Sequence, residues 1–216
     1  MQGVDLLRLE FDIHHIAVVS RKVPEEHALI RLILSTLATA DELQNLVKRD
    51  LRLVKRNGLN YYYVKLTSAG KSRISPIDSR TYQVLSEISE DMRGKERIFS
   101  YSKEEMDRIV EKHSPSDRKY DVEKLRNAVI LILRDCMLFG DEGYIENLIE
   151  GVNLDRVTDF LYDFHPIYAG MWDMDDDEVA EDFINTYARL TGISNPRDIA
   201  EAIGESVERV ERLMKK

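Results

Sequence analysis

The chain has 216 residues, 43% of them hydrophobic and 33% charged, with a formal net charge of -9. That is enough apolar material for a folded core, and ten Gly and five Pro exclude a collagen-like or low-complexity chain. No apolar run approaches the ~18 residues of a membrane span, and on its sum the charge argues against a polyanionic partner.

The first stretch, Met1 to Asp12, has acids within its apolar run and no basic start, so it does not read as a leader. With a single cysteine, Cys136, a disulfide framework is excluded and a cytoplasmic protein is expected. Residues 5–20 are apolar and partly alternating, which predicts one or two short strands, or a strand running into a helix. Pro24-Glu25-Glu26 starts a helix to about Ala38, because Pro suits the first turn and acids suit the positive end of the dipole. Thr39-Ala40-Asp41-Glu42 is a capping box, and the helix it opens runs through Leu43, Leu46 and Val47.

Asp50 to Arg56 then reads as a strand and Leu59 to Leu66 as its return. Between them stands Asn57-Gly58, the dipeptide suited to a type I′ turn. A two-residue turn fixes the register: Arg56 opposes Leu59, Val54 Tyr61, Leu53 Tyr62, Arg52 Tyr63 and Leu51 Val64. One face carries Leu51, Leu53, Tyr62, Val64 and Leu66 and belongs to the core. The other carries Arg52, Val54, Arg56, Tyr61, Tyr63 and Lys65 and is basic and aromatic.

Thr67 to Ile74 closes the unit as a turn or short helix, broken by Ser75-Pro76. Helices are predicted at Asp78–Met92, from Ser102 (a second S-x-x-E start) to Lys112, and at Asp121–Phe139. Further helices are predicted at Gly143–Glu150, Leu154–Phe164, Asp177–Leu190, Pro196–Ile203 and Ser206–Met214. Ser114-Pro115-Ser116-Asp117 is the best linker. The expected architecture is mainly α. It has a winged-helix-like N-terminal domain with a β-hairpin wing (1–92), a connecting helix and linker (93–118), and an all-helical acidic C-terminal domain (119–216).

Charge is uneven along the chain. Residues 44–80 hold nine basic side chains against Asp50 and Asp78, or +7, whereas residues 101–216 sum to -12. Local charge, not the sum, decides where a polyanion docks.

The succession of helix, capped short helix, strand, Asn-Gly and strand, ending in Leu66-Thr67-Ser68-Ala69-Gly70-Lys71, resembles the second half of a winged-helix DNA-binding domain. The ending is similar to the L-T-x-x-G-[KR] of the multiple-antibiotic-resistance and phenolic-acid regulator families. The resemblance covers about residues 24–74. It implies that Gln44, Asn45, Lys48 and Arg49 face DNA from the helix, with Arg52, Arg56, Tyr61, Tyr63, Lys65 and Lys71 doing so on the wing. These domains usually place three helices before the wing, and two are found here. Independently of any family, Lys and Arg neutralise phosphates, and Gln and Asn can pair with base edges.

The C-terminal run Ile199-Ala200 to Leu213 looks like a helix-turn-helix core. Ala200 is small at the crossing, Gly204 supplies the turn, and Ser206 caps the second helix. Arg197, Ser206, Arg209 and Arg212 are its candidate DNA contacts. Yet Glu208 and Glu211 stand beside the arginines, and residues 195–216 are neutral.

Upstream lie the aromatics Tyr162, Phe164, His165, Tyr168 and Trp172, then the acids Asp173, Asp175, Asp176, Asp177, Glu178, Glu181 and Asp182. The acids lack calcium-loop spacing and fit a helix start near Glu178. No nucleotide-binding, nucleophile-elbow or zinc motif occurs, so no cofactor, metal or catalytic residue is assigned and no enzyme is expected. Residues 102–140 bear a faint likeness to the start of tyrosine-recombinase catalytic domains. That is set aside, because Asp141-Glu142 stands where an arginine belongs. The expected function is a cytoplasmic, DNA-binding transcriptional regulator docking its basic wing on duplex DNA, with the C-terminal domain for dimerisation as a homodimer or for a protein partner. The rival is a winged-helix protein–protein adaptor without direct DNA binding.

Overall fold

The computed structural model describes residues 6–56, 58–136 and 174–214, with isolated positions at 146, 150 and 151. The helices predicted at Gly143–Glu150 and Leu154–Phe164, and the aromatics from Tyr162 to Trp172, lie outside the described residues.

Helix α1 spans Leu6–Val19, where one or two short strands, or a strand running into a helix, were predicted. Two apolar clusters claim it from different sides, which erases the single stripe that sequence reading looks for. Leu9, Ile13, Ile16 and Ala17 join a large cluster that runs through to Leu133. Phe11 and Val18 join a second, with Met174, Phe183, Ile184, Ile199, Ile203 and Leu213.

Helix α2 (Pro24–Thr36) follows, with proline in its first turn as predicted. It stops at Leu37, whose φ of 56° is left-handed. That conformation costs a residue with a Cβ, and the surroundings hold it. Leu37 is buried, and its carbonyl accepts from Arg126 Nε at 2.7 Å. The Thr39–Glu42 capping box then opens α3, Ala40–Asn45.

Strands β1 (Leu51–Arg56), β2 (Leu59–Ser68) and β3 (Lys71–Ile77) form an antiparallel sheet in that order. The β1–β2 register is the predicted one, from Leu51↔Val64 to Arg56↔Leu59. Gly58 has a φ of 80°, as a primed turn requires. Strand β3 replaces the predicted turn or short helix. Ala69 and Gly70, both at positive φ, turn the chain back after Ser68. Pro76 is tolerated because β3 is an edge strand.

Helices α4 (Ser79–Ile88), α5 (Lys103–His113) and α6 (Val122–Cys136) complete the first cluster. Helix α6 thus shares its core with α2, from beyond Ser114-Pro115-Ser116-Asp117. Helices α7 (Asp177–Thr191), α8 (Pro196–Ile203) and α9 (Val207–Met214) build the second. The described residues are mostly helical with one small three-stranded sheet. Among the described residues no helix is long and apolar enough to cross a membrane.

Ionic contacts tie the second cluster to the first. Arg21 meets Glu205 at 2.6 Å, Lys22 Nζ donates to the Glu201 carbonyl, and Arg80 pairs with Asp175. Between α1 and the α5–α6 turn, buried Asp12 is held by Arg8, Arg118 and the Tyr120 hydroxyl. Burial, with the Asp12 carboxylate beside it, pushes the Tyr120 phenol well above its ordinary range.

Candidate nucleic-acid interface

Alternation along the sheet sorts its side chains. On one face Val64, Leu66, Ser75 and Ile77 are buried, and Tyr62 packs its ring 4.7 Å from that of Tyr82 on α4. The other face carries Arg52, Val54, Tyr61, Tyr63 and Lys65. Toward the Asn57-Gly58 end the body no longer covers either face. Arg52, Leu53, Val54 and Lys55 are consecutive and all exposed. This end of the hairpin therefore stands clear of the core.

Between residues 51 and 77 the chain holds Arg52, Lys55, Arg56, Lys65, Lys71 and Arg73 and no acid at all. Arg52, Lys55, Lys65 and Lys71 are exposed. Arg56 pairs with Leu59 in the register, but its side chain lies outside the described residues. Tyr61 is half-buried. Tyr63, predicted to face DNA, is only 4% exposed, and its strand partner Pro76 is buried beside it. It is core, a correction to the expected aromatic surface.

The predicted reading helix is also corrected. Helix α3 has six residues, too few to lie along a groove, and ends before Lys48 and Arg49. The chain beyond it bonds to residues 94–98 instead. Lys48 N donates to Glu96 O, Arg49 N to Gly94 O, and Ile98 N to Leu46 O. Gln44 donates to the Tyr101 carbonyl and Asn45 to that of Thr67, both at 3.3 Å. Lys48 Nζ donates to the Glu90 carbonyl. Arg49 is exposed in the 3-10 turn after α3.

Arg73 leaves the basic surface altogether. Its guanidinium donates to both oxygens of Glu42, at 2.6 and 3.0 Å, and to the Thr36 carbonyl. The Arg73 charge and the capping-box bonds hold the Glu42 carboxyl below its usual range, against its burial. The pair forms one wall of a cleft of about 740 Å³ that also meets Thr39, Ser68, Lys71 and Ser72. Gly151 comes against this strand: a Cβ there would stand 2.6 Å from that of Arg73. From the sequence, Arg73 is one of the nine basic side chains counted in residues 44–80. The only signal of its pairing is that Glu42 is a capping residue with one oxygen to spare.

At the C-terminus, Ile199, Ala200, Ile203, Val210 and Leu213 are buried and Gly204 has a φ of 71°, so the predicted helix pair packs through the predicted residues. Its arginines are engaged elsewhere. Arg209 meets Asp177 at 3.0 Å and Glu205 at 3.3 Å, and Arg212 meets Asp177 at 2.5 Å. The two guanidiniums bring the Asp177 carboxyl down to about 2. Ser206 caps α9 by accepting from Arg209 N, and Arg197 is exposed. Asp176 caps α7, the helix start that the acidic run suggested.

Three histidines are held neutral at pH 7. Burial lowers His14 to about 3, His15 to about 4 and His27 to about 3. Among the described residues, no three His, Cys, Asp or Glu converge where a metal could sit.

This chain belongs to the same family as an uncharacterized protein of Archaeoglobus fulgidus, to which it is 43% identical over 211 residues, 98% of this chain and 93% of that one. No family model matches. Among solved structures it is similar to the XerH site-specific recombinase bound to difH substrate in a pre-cleavage complex. That match has 16% identity and a TM-score of 0.49, and covers 78% of this chain and 49% of that one. It is also similar to the XerA recombinase, at 14% identity and a TM-score of 0.49, over 86% of this chain and 62% of that one. The chain thus spans about half to three fifths of those structures.

These structures are recombinases and not winged-helix regulators. The winged-helix regulator expected from the sequence has no counterpart among them, and neither it nor the adaptor set beside it is carried further. The stretch that carried the resemblance, Leu66 to Lys71, is the end of β2, the Ala69-Gly70 turn and the start of β3. The expectation of a non-enzyme is withdrawn with them.

Proposed function

We propose that this protein binds duplex DNA through the exposed end of the β1–β2 hairpin and the cations beside it, Arg52, Lys55, Lys65 and Lys71. One observation carries this: a 27-residue sheet segment with no acid and four exposed cations, Arg52, Lys55, Lys65 and Lys71, in a chain of net charge -9. A surface that needs only solubility mixes signs, whereas one that meets phosphates gains a counterion-release term from each cation. The acidic remainder repels a polyanion, so it orients docking onto the sheet. Lys48 and Arg49, in the turn before β1, extend the basic border.

The test is fluorescence anisotropy with a labelled duplex of about 20 bp, two helical turns. The reading expects binding of mixed-sequence DNA in the micromolar range at low salt. It is rejected if the duplex does not bind there.

A further inference from the structure

A second cleft, of about 600 Å³, opens beside the second apolar cluster, at the seam between α1, the α5–α6 turn and the C-terminal helices. Its aromatic lining comes from α1, through Phe11 and His15, and from α7, through Tyr187, and Leu190 of α7 and Ala202 of α8 line it as well. Arg8 and Asp117 stand at one end. The volume lies in the range of small-molecule sites, which favour such seams.

The lining is aromatic, with Phe11 tilted 40° to His15 and 44° to Tyr187. The ring of His15 stacks on Tyr187, 5.8 Å between centroids and 4° between planes, and Phe11 lies 6.0 Å from His15 and 6.5 Å from Tyr187. Its charges are already balanced. Arg8 donates to Asp12 and to both oxygens of Asp117. His15 Nδ1 is enclosed and has no hydrogen-bond partner. A bare buried lone pair is cheaper than an orphaned N–H, so Nδ1 is the unprotonated nitrogen and Nε2 carries the proton. The ring is thus a hydrogen-bond donor through Nε2.

We propose that this cleft binds an uncharged, planar aromatic molecule bearing a hydrogen-bond acceptor, which stacks on the Phe11–His15–Tyr187 wall and accepts from His15 Nε2. Such a ligand touches residues 8–19, 115–117 and 187–202 together. It therefore links the C-terminal helices to the body of the protein.

The probe is benzamide, a neutral ring with a carbonyl acceptor, with benzoate and benzylamine as charged counterparts. Binding to the full chain is followed by saturation-transfer NMR. Benzamide is expected to bind with Kd in the low millimolar range, and the charged rings about tenfold more weakly. His15→Phe keeps the stacking but removes the donor, and should weaken benzamide about tenfold. Ala202→Trp, a change on the half-exposed side of α8, fills the cleft and should abolish binding. Benzamide that fails to bind overturns the proposal. So does benzamide that binds equally well to Ala202→Trp, or no better than benzoate. If His15→Phe does not fold, Ala202→Trp and the charged rings still decide. DNA binding is read separately and depends on none of these outcomes.

Discussion

Glu42 receives Arg73 through two hydrogen bonds, with the two side chains only 10% and 8% exposed. The same carboxylate accepts from the backbone of Thr39 at 2.9 Å, so one side chain caps α3 and anchors β3. Removing it leaves a buried guanidinium without its counter-charge. Glu42→Ala is expected to cost about 3–5 kcal/mol, measured by urea unfolding. The double variant Glu42→Leu/Arg73→Met should recover most of that loss, because two apolar groups leave no unpaired charge. A loss under about 1 kcal/mol for the single change would place the pair at the surface.

Gly151 gives a second, sharper expectation. Its φ of 97° is one that side chains rarely adopt, and a Cβ would stand 3.0 Å from the Ile74 nitrogen as well as colliding with Arg73. Gly151→Ala should therefore destabilise by about 1–3 kcal/mol or more through strain. Gly192 also has a positive φ, but with nothing within 4 Å. Gly192→Ala should cost less in the same denaturant series.

Acid should unfold this protein by way of its histidines. His14, His15 and His27 have folded values near 3 to 4, below the ordinary 6.5. Between those limits the unfolded chain binds the extra protons, so stability is full above pH 6.5 and falls as pH drops toward 4. Each histidine contributes up to about 1.4 kcal/mol per pH unit in that window. His14→Gln should flatten the curve of unfolding free energy against pH. An unchanged slope between pH 6.5 and 4 contradicts the assignment.

The C-terminal arginines serve the fold, and the prediction separates them from the sheet. Arg209→Ala with Arg212→Ala frees Asp177 and weakens the join between α7 and α9. The double variant should melt earlier, yet keep its affinity for duplex DNA within about twofold once the counterion term is matched.

Much of this was legible where the signals are local. Asn57-Gly58 and strict alternation gave the β1–β2 register residue for residue, and Thr39/Glu42 and Ser102/Glu105 gave two helix starts. What was missed depends on distant partners. Helix α1 shows no stripe because two clusters bury it. Strand β3 was hidden by a turn with Ala69 in the left-handed region and by a proline that only an edge strand accepts. Tyr63 alternates with the exposed face of β2 and is buried all the same. The cleft at His15 joins three stretches as distant as residues 8 and 202, which no spacing rule connects.

The central claim is that the hairpin cations meet phosphates. The most direct measurement is the salt dependence of duplex binding for the native chain and for Arg52→Ala/Lys55→Ala/Lys65→Ala. With four phosphate contacts the native slope of log K against log salt should be about -3.6, and the triple variant should retain about a quarter of it. Equal slopes for the two proteins, with the triple variant folded, would contradict the account.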